Sequence, residues 1–108
     1  MTVRHFAEAI GAKILALPFA DREIGGAYIG DLLSWVMGRA QADDAWITIM
    51  SNVNVLAVAS LADVACVLLA EGVSMDDELI ATANEKGVNV ITTDLSAYEA
   101  AVKLSSLI

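Results

Sequence analysis

The residues able to do chemistry are few, and their spacing excludes more than it suggests. His5 and Cys66 are the only histidine and the only cysteine. A zinc site needs four protein ligands, or three and a water, so this pair cannot supply one. Ser51, Ser60 and Thr93 have no histidine or lysine near them in sequence to act as a base, and no activated nucleophile can be read. "GRAQADDAW" holds one glycine and no Gly-Lys-Ser/Thr, so there is no phosphate loop. The carboxylates of "MDDE" could be imagined around a cation, but an acidic first turn of a helix accounts for them. The expectation is a protein with no catalytic residues, no metal and no cofactor.

The most distinctive polar stretch is "ADREIGGAYIGD", residues 20 to 31. Its glycines are not in the register of a dinucleotide-binding loop. Gly25 and Gly26 could expose backbone N–H groups to an anion, or could permit a tight turn with positive φ. Arg22 offers a planar donor fork suited to an anion. Thr92 and Thr93 follow the apolar run "VNVI", where a parallel sheet presents hydroxyls to a ligand. These residues define an expected site for a nucleotide or other small anion: Asp21, Arg22, Gly25, Gly26, Thr92 and Thr93. The competing reading pairs Arg22 with a carboxylate of its own or a neighbouring subunit and assigns it no ligand.

The elements that must position these residues follow from caps and periodicity. Thr2 can cap a helix over Val3 to Ile10, with Gly11 just past its end. "AKILAL" (12–17) reads as a strand that Pro18 stops. Ile29, Leu32, Leu33, Val36 and Met37 keep helical spacing. "AWITIM" (45–50) and "VLAVA" (55–59) read as strands joined by the turn "SNVN". From Ser60 onward the pattern fits either one helix over 61–71 or, preferably, a short helix and then the strand "CVLLAE" (66–71). Ser74 with Asp77 resembles a capping box, and Gly87 closes the helix that follows. "VNVITT" (88–93) is a strand, and Ser96 with Glu99 caps a final helix to about Ser106. This alternation predicts an α/β fold: a mostly parallel β-sheet with flanking helices in a single domain, 1–108. Ligands then belong at the strand exits Met50–Asn54, Glu71–Ser74 and Thr92–Leu95.

Bulk composition narrows the partners. The net charge is −8. Residues 1 to 40 are balanced, and beyond them only Lys86 and Lys103 face ten carboxylates. Nucleic acid and anionic membrane surfaces both call for clustered Lys and Arg, so neither is expected. Apolar residues reach 57%, more than so short a chain can hide. A homodimer is expected, with its seam at the Ile29–Met37 helix or its flank at Trp35. The longest uncharged run, Ala45 to Ala62, carries several Ser, Thr and Asn and does not read as a membrane span. No secretory leader can be read at the start, because Glu8 and Lys13 interrupt any apolar core. A cytoplasmic protein is expected, with Cys66 as a buried thiol.

"DREIGGAYIGDLLSWVM", "WITI", "VAVASLADVA", "VLLAEG" and "GVNVITTDLSAYEAA" together resemble the DRTGG domain. The resemblance covers essentially the whole chain. Asp21, Arg22, Gly25 and Gly26 match the name motif, while Glu23 and Ile24 stand where the short form has Thr. The resemblance implies a fold like the amino-terminal domain of HPr kinase and a regulatory or binding role without catalysis, often at a subunit interface. It also implies that the opening stretch is a shaped turn presenting Asp21 and Arg22 at a cleft or seam. The alternative function is a protein-interaction subunit that docks on a partner enzyme and binds no small molecule.

Overall fold

Side-chain caps set four of the five helix starts in the computed structural model, which describes residues 1–108. Thr2 accepts the amide of His5 and starts α1 (Val3–Ile10), and Gly11 ends it in the left-handed conformation. Asp76 accepts the amide of Leu79 and starts α4 (Asp77–Lys86). The cap is therefore Asp76, two residues beyond the expected Ser74. Ser96 and Glu99 form the expected reciprocal capping box at the start of α5 (Ala97–Leu107).

The strands are β1 (Lys13–Ala16), β2 (Gly26–Ile29), β3 (Asp44–Thr48), β4 (Cys66–Leu69) and β5 (Val90–Thr92). They form one sheet in the order β1-β5-β4-β3-β2, parallel throughout except for β1, which runs antiparallel to β5. Helices α2 (Leu33–Arg39), α3 (Val53–Ala62) and α4 cover one face. There Val36, Leu56 and Ala83 pack with Trp46, Val67, Leu69 and Val90. Helices α1 and α5 cover the other face, with Phe6, Ala100 and Leu104 against Ile47, Cys66, Leu68 and Ile91. Strands covered on both sides read as continuous apolar runs, and every residue of β3 and β4 is buried. No helix is long and apolar enough to cross a membrane.

Two expected elements differ. "VLAVA" is not a strand; it lies inside α3, whose amino end is capped by Asn52 accepting the amide of Asn54. The expected turn is thus a helix start. Four α3 residues, Val55, Leu56, Val58 and Ala59, are buried beneath the sheet face and α4, and that burial overrides the β preference of valine. The expected helix across Ile29–Met37 is divided. Ile29 ends β2, and α2 begins only at Leu33. The break lies at Gly30–Asp31. Trp46 Nε1 donates to the Gly30 carbonyl at 2.9 Å, while Asp31 Oδ1 accepts from Thr48 Oγ1 at 2.7 Å and from the Ile49 amide at 3.0 Å. These bonds hold the exits of β2 and β3 together and force the chain out of a continuous helix.

Candidate functional site

The motif residues lie at the amino-terminal end of the parallel strands. Gly26 opens β2 beside Asp44, the first residue of β3. Just before it, the Arg22 guanidinium donates to Asp43 Oδ1 at 3.2 and 2.9 Å and to the Asp63 carbonyl at 2.6 Å. It also pairs with Asp63 Oδ1 at 2.9 Å. Both aspartates are left-handed, with φ of 70° and 57°. Arg22 therefore ties the β1–β2 loop to the entry of β3 and to the carboxyl end of α3. Burial works against its charge, yet the bonds to Asp43 and Asp63 outweigh it and raise its pKa. Asn89 adds a second tie, accepting from the Phe19 amide and donating to the Phe19 and Ala65 carbonyls.

Neither Gly25 nor Gly26 has positive φ, which corrects the tight-turn reading of this pair. Gly26 is needed for another reason. A Cβ there would lie 2.9 Å from Asp44 Oδ1, and Asp44 is buried with its other oxygen holding the Gln41 amide at 2.8 Å. Gly25 has ordinary room, since a Cβ there would lie 3.6 Å from its nearest neighbour, the Asp43 Cβ. Asp21 is exposed. A surface groove of about 580 Å³ runs along Leu17 to Arg22, but its one cation, Arg22, is already held by two carboxylates.

Thr92 and Thr93 lie at the opposite end of the sheet, so the structure does not bring the six expected residues into one place. Here topology makes a crevice. After β4 the chain turns to α4 on one face; after β5 it turns to α5 on the other. Diverging connections leave a gap outside the carboxyl ends of the strands, the usual ligand position in such sheets. The gap encloses about 260 Å³. Gly72 and Ser74 come from the β4 exit, Thr92, Thr93 and Asp94 from the β5 exit, and Gly11 and Lys13 from the start of β1. Lys13 is directly opposite Thr92 in the antiparallel pair, so the two side chains emerge on one face.

Hydrogen bonds fix the crevice walls. The Glu71 amide donates to the Leu95 carbonyl at 2.9 Å and the Gly72 amide to the Thr93 carbonyl at 2.8 Å. Thr92 Oγ1 donates to the Val73 carbonyl, leaving its oxygen to accept. Thr93 Oγ1 accepts the Leu95 amide, leaving its proton to donate. Gly72 and Ser74 lie in the exit stretch expected to face a ligand. Lys13 was not singled out from sequence, because only the antiparallel placement of β1 brings its start beside the exit of β5. Near this array no histidine or cysteine stands as a base or nucleophile: His5 is exposed on α1, and Cys66 is buried in β4. Burial pushes the Cys66 thiol up to about 12.

Residues 5–107 match the DRTGG domain family. The chain belongs to that family. Its fold is also similar to a crystal structure of the CBS and DRTGG domains of the regulatory region of Clostridium perfringens pyrophosphatase, complexed with the activator diadenosine tetraphosphate. The TM-score is 0.73 at 15% identity, over 95% of this chain and 45% of that one. The DRTGG domain described here thus spans less than half the length of that structure. Its departures from the short motif have visible roles. Glu23 holds the Met1 amino group at 2.7 Å, and Ile24 is buried in the core beneath α1 and α5.

Proposed function

We propose that this DRTGG domain is a non-catalytic regulatory module that binds a nucleotide or other small anion and works as a homodimer in the cytoplasm. The crevice where α4 and α5 diverge carries this reading. It is polar, preformed and holds Lys13, a cation with no carboxylate within ion-pairing distance. It stands where parallel sheets take their ligands. The pyrophosphatase regulatory region, crystallised with a nucleotide activator, supports a ligand of this class. Of the six residues expected from sequence, we keep Thr92 and Thr93 in the site. We assign Asp21, Arg22, Gly25 and Gly26 to the opposite, structural end. The test is a thermal-shift screen with nucleotides and small anions. A ligand at one hundred times its Kd should add about 2.7 kcal/mol of stability, and no shift from any anion or nucleotide refutes the ligand role.

A second observation favours self-association, and equally a protein partner. Ile29 on β2, with Tyr98, Ala101 and Val102 on α5, lines a shallow groove of about 550 Å³. Tyr98 is 77% exposed and Val102 50%. β2 is the last strand of the sheet, so its outer edge has no strand partner. Such a face is a natural association surface. This seam shares Ile29 with the one expected from sequence, and we keep the flank at Trp35, which is 51% exposed with Arg39 stacked 3.7 Å from its ring centroid, as the other candidate seam. A monomer by light scattering at tens of micromolar would remove the dimer and leave the groove to a partner enzyme.

A further inference from the structure

The chemistry of the crevice narrows its ligand. None of its lining residues is hydrophobic. A nucleobase gains affinity by stacking on aromatic or aliphatic side chains, and no such wall is present. The volume, about 260 Å³, falls below the ~300–1,000 Å³ of a pocket that encloses a drug-sized molecule. A whole dinucleotide cannot be enclosed there.

What the crevice offers is a set of polar groups of opposite demands. Lys13 supplies an ammonium, and the Thr93 hydroxyl has a proton to give because its oxygen already accepts the Leu95 amide. Asp94 supplies a carboxylate, which can only accept when ionised. An inorganic anion would satisfy Lys13 and be repelled by Asp94. A molecule carrying both a phosphate and neighbouring hydroxyls satisfies both. We infer that the crevice recognises a small phosphorylated sugar, free or as the ribose-phosphate portion of a nucleotide, with Lys13 on the phosphate and Asp94 on a hydroxyl pair. This inference rests on the reading of the crevice as the ligand site.

The local backbone supports a built site. Glu71 and Gly72 are consecutive left-handed residues, with φ of 60° and 73°. That conformation is unfavourable for a non-glycine residue such as Glu71, and the amide bonds from Glu71 to Leu95 and from Gly72 to Thr93 hold it in place. A Cβ at position 72 would stand 3.1 Å from Asp94 Oδ1. The glycine therefore leaves space for the carboxylate that faces the crevice.

The experiment is calorimetric titration of the whole chain with ribose 5-phosphate, inorganic phosphate, ribose, adenosine and adenosine monophosphate. The expected result is similar affinity for ribose 5-phosphate and adenosine monophosphate. Phosphate and ribose should bind at least tenfold more weakly, and adenosine should not bind. Lys13→Met, which keeps an aliphatic stem on the edge strand, should weaken ribose 5-phosphate about tenfold or more. Asp94→Asn should abolish the preference for ribose 5-phosphate over phosphate. Thermal melts of both variants report that they are folded. If a nucleotide binds but ribose 5-phosphate does not, or if Lys13→Met leaves affinity unchanged, the sugar-phosphate assignment is overturned while the ligand-binding role stands. If no anion or nucleotide binds at all, both fall.

Discussion

Replacing Arg22 with alanine tests whether the motif corner is structural. The side chain makes two ion pairs and one charged bond to a carbonyl. Its partner carboxylates, on Asp43 and Asp63, are 56% and 67% exposed, so each pair belongs in the lower half of the ~0.2–1 kcal/mol seen for surface pairs. The bond to the Asp63 carbonyl is short, at 2.6 Å, but solvent reaches it, which places it near the low end of ~1.5–3 kcal/mol. The loss should total about 2 kcal/mol. For a chain of this size that is a fall in Tm of roughly 8–16 °C. Urea denaturation followed by circular dichroism measures it directly. Arg22→Lys keeps the charge but loses the planar fork, and should recover less than half. Crevice binding should be unchanged in folded Arg22→Ala, because Lys13 and Thr92 stand at the other end of the strands. A stability change below ~0.5 kcal/mol would refute the staple. A selective loss of ligand binding would return Arg22 to the site.

The neighbouring glycines should separate: Gly26→Ala forces a methyl against the pinned Asp44 carboxylate and should cost about 1–3 kcal/mol, whereas Gly25→Ala should lie within ~0.5 kcal/mol of the parent in the same denaturation assay. Cys66, with its thiol held protonated up to about 12, should resist iodoacetamide in the native state and react only as the chain unfolds; rapid labelling at neutral pH would contradict its burial. The Glu99 carboxylate is lowered chiefly by the Ser96 amide, then by the Ser96 hydroxyl. A depressed folded pKa means its contribution is present above the ordinary 4.5 and is lost as pH falls through the folded value. Hydrogen exchange at the first turn of α5 should therefore quicken, relative to the other helices, in acid below that value, and Glu99→Gln, which keeps an acceptor for the Ser96 amide but does not titrate there, should remove this difference.

What the sequence made legible follows from locality. Caps are local, so α1 and α5 could be placed from Thr2, Gly11, Ser96 and Glu99 alone. β3, β4 and β5 were legible because strands buried on both faces are uninterrupted apolar runs. The same property hid α3: "VNVLAVASLA" is apolar nearly all round, so no helical period shows, and valine tips the reading toward strand. β2 was hidden because its last residue, Ile29, continues the helical spacing of Leu32, Leu33 and Val36, and the break depends on distant Thr48 and Trp46. The α/β character and the family were legible from the motif and from the longer stretches together. Lys13 was not, since its partners come from elements some eighty residues later.

The distance between the motif and the crevice has a physical sense. A parallel sheet divides labour between its ends: connections at the carboxyl ends can vary around a ligand, while those at the amino ends only join the layers. Arg22, Asp43, Asp63 and Asn89 gather the amino-end connections into one braced corner. That corner holds β2, β3 and β4 in register at their starts, which fixes where their exits lie. The braced corner and the glycine at position 26 thus act on the crevice only through the sheet. This predicts a graded rather than all-or-none coupling. Mutations in the motif should lower stability first and alter ligand affinity only when the exits of β4 and β5 begin to loosen. Hydrogen exchange at Glu71 and Gly72 reports that loosening, since their amides bond to the β5 exit. In Arg22→Ala those two amides should stay protected under conditions where residues around Asp43 and Asp63 exchange faster. Equal loss of protection at both ends would show that the sheet does not insulate them, and the division between scaffold and site would fail.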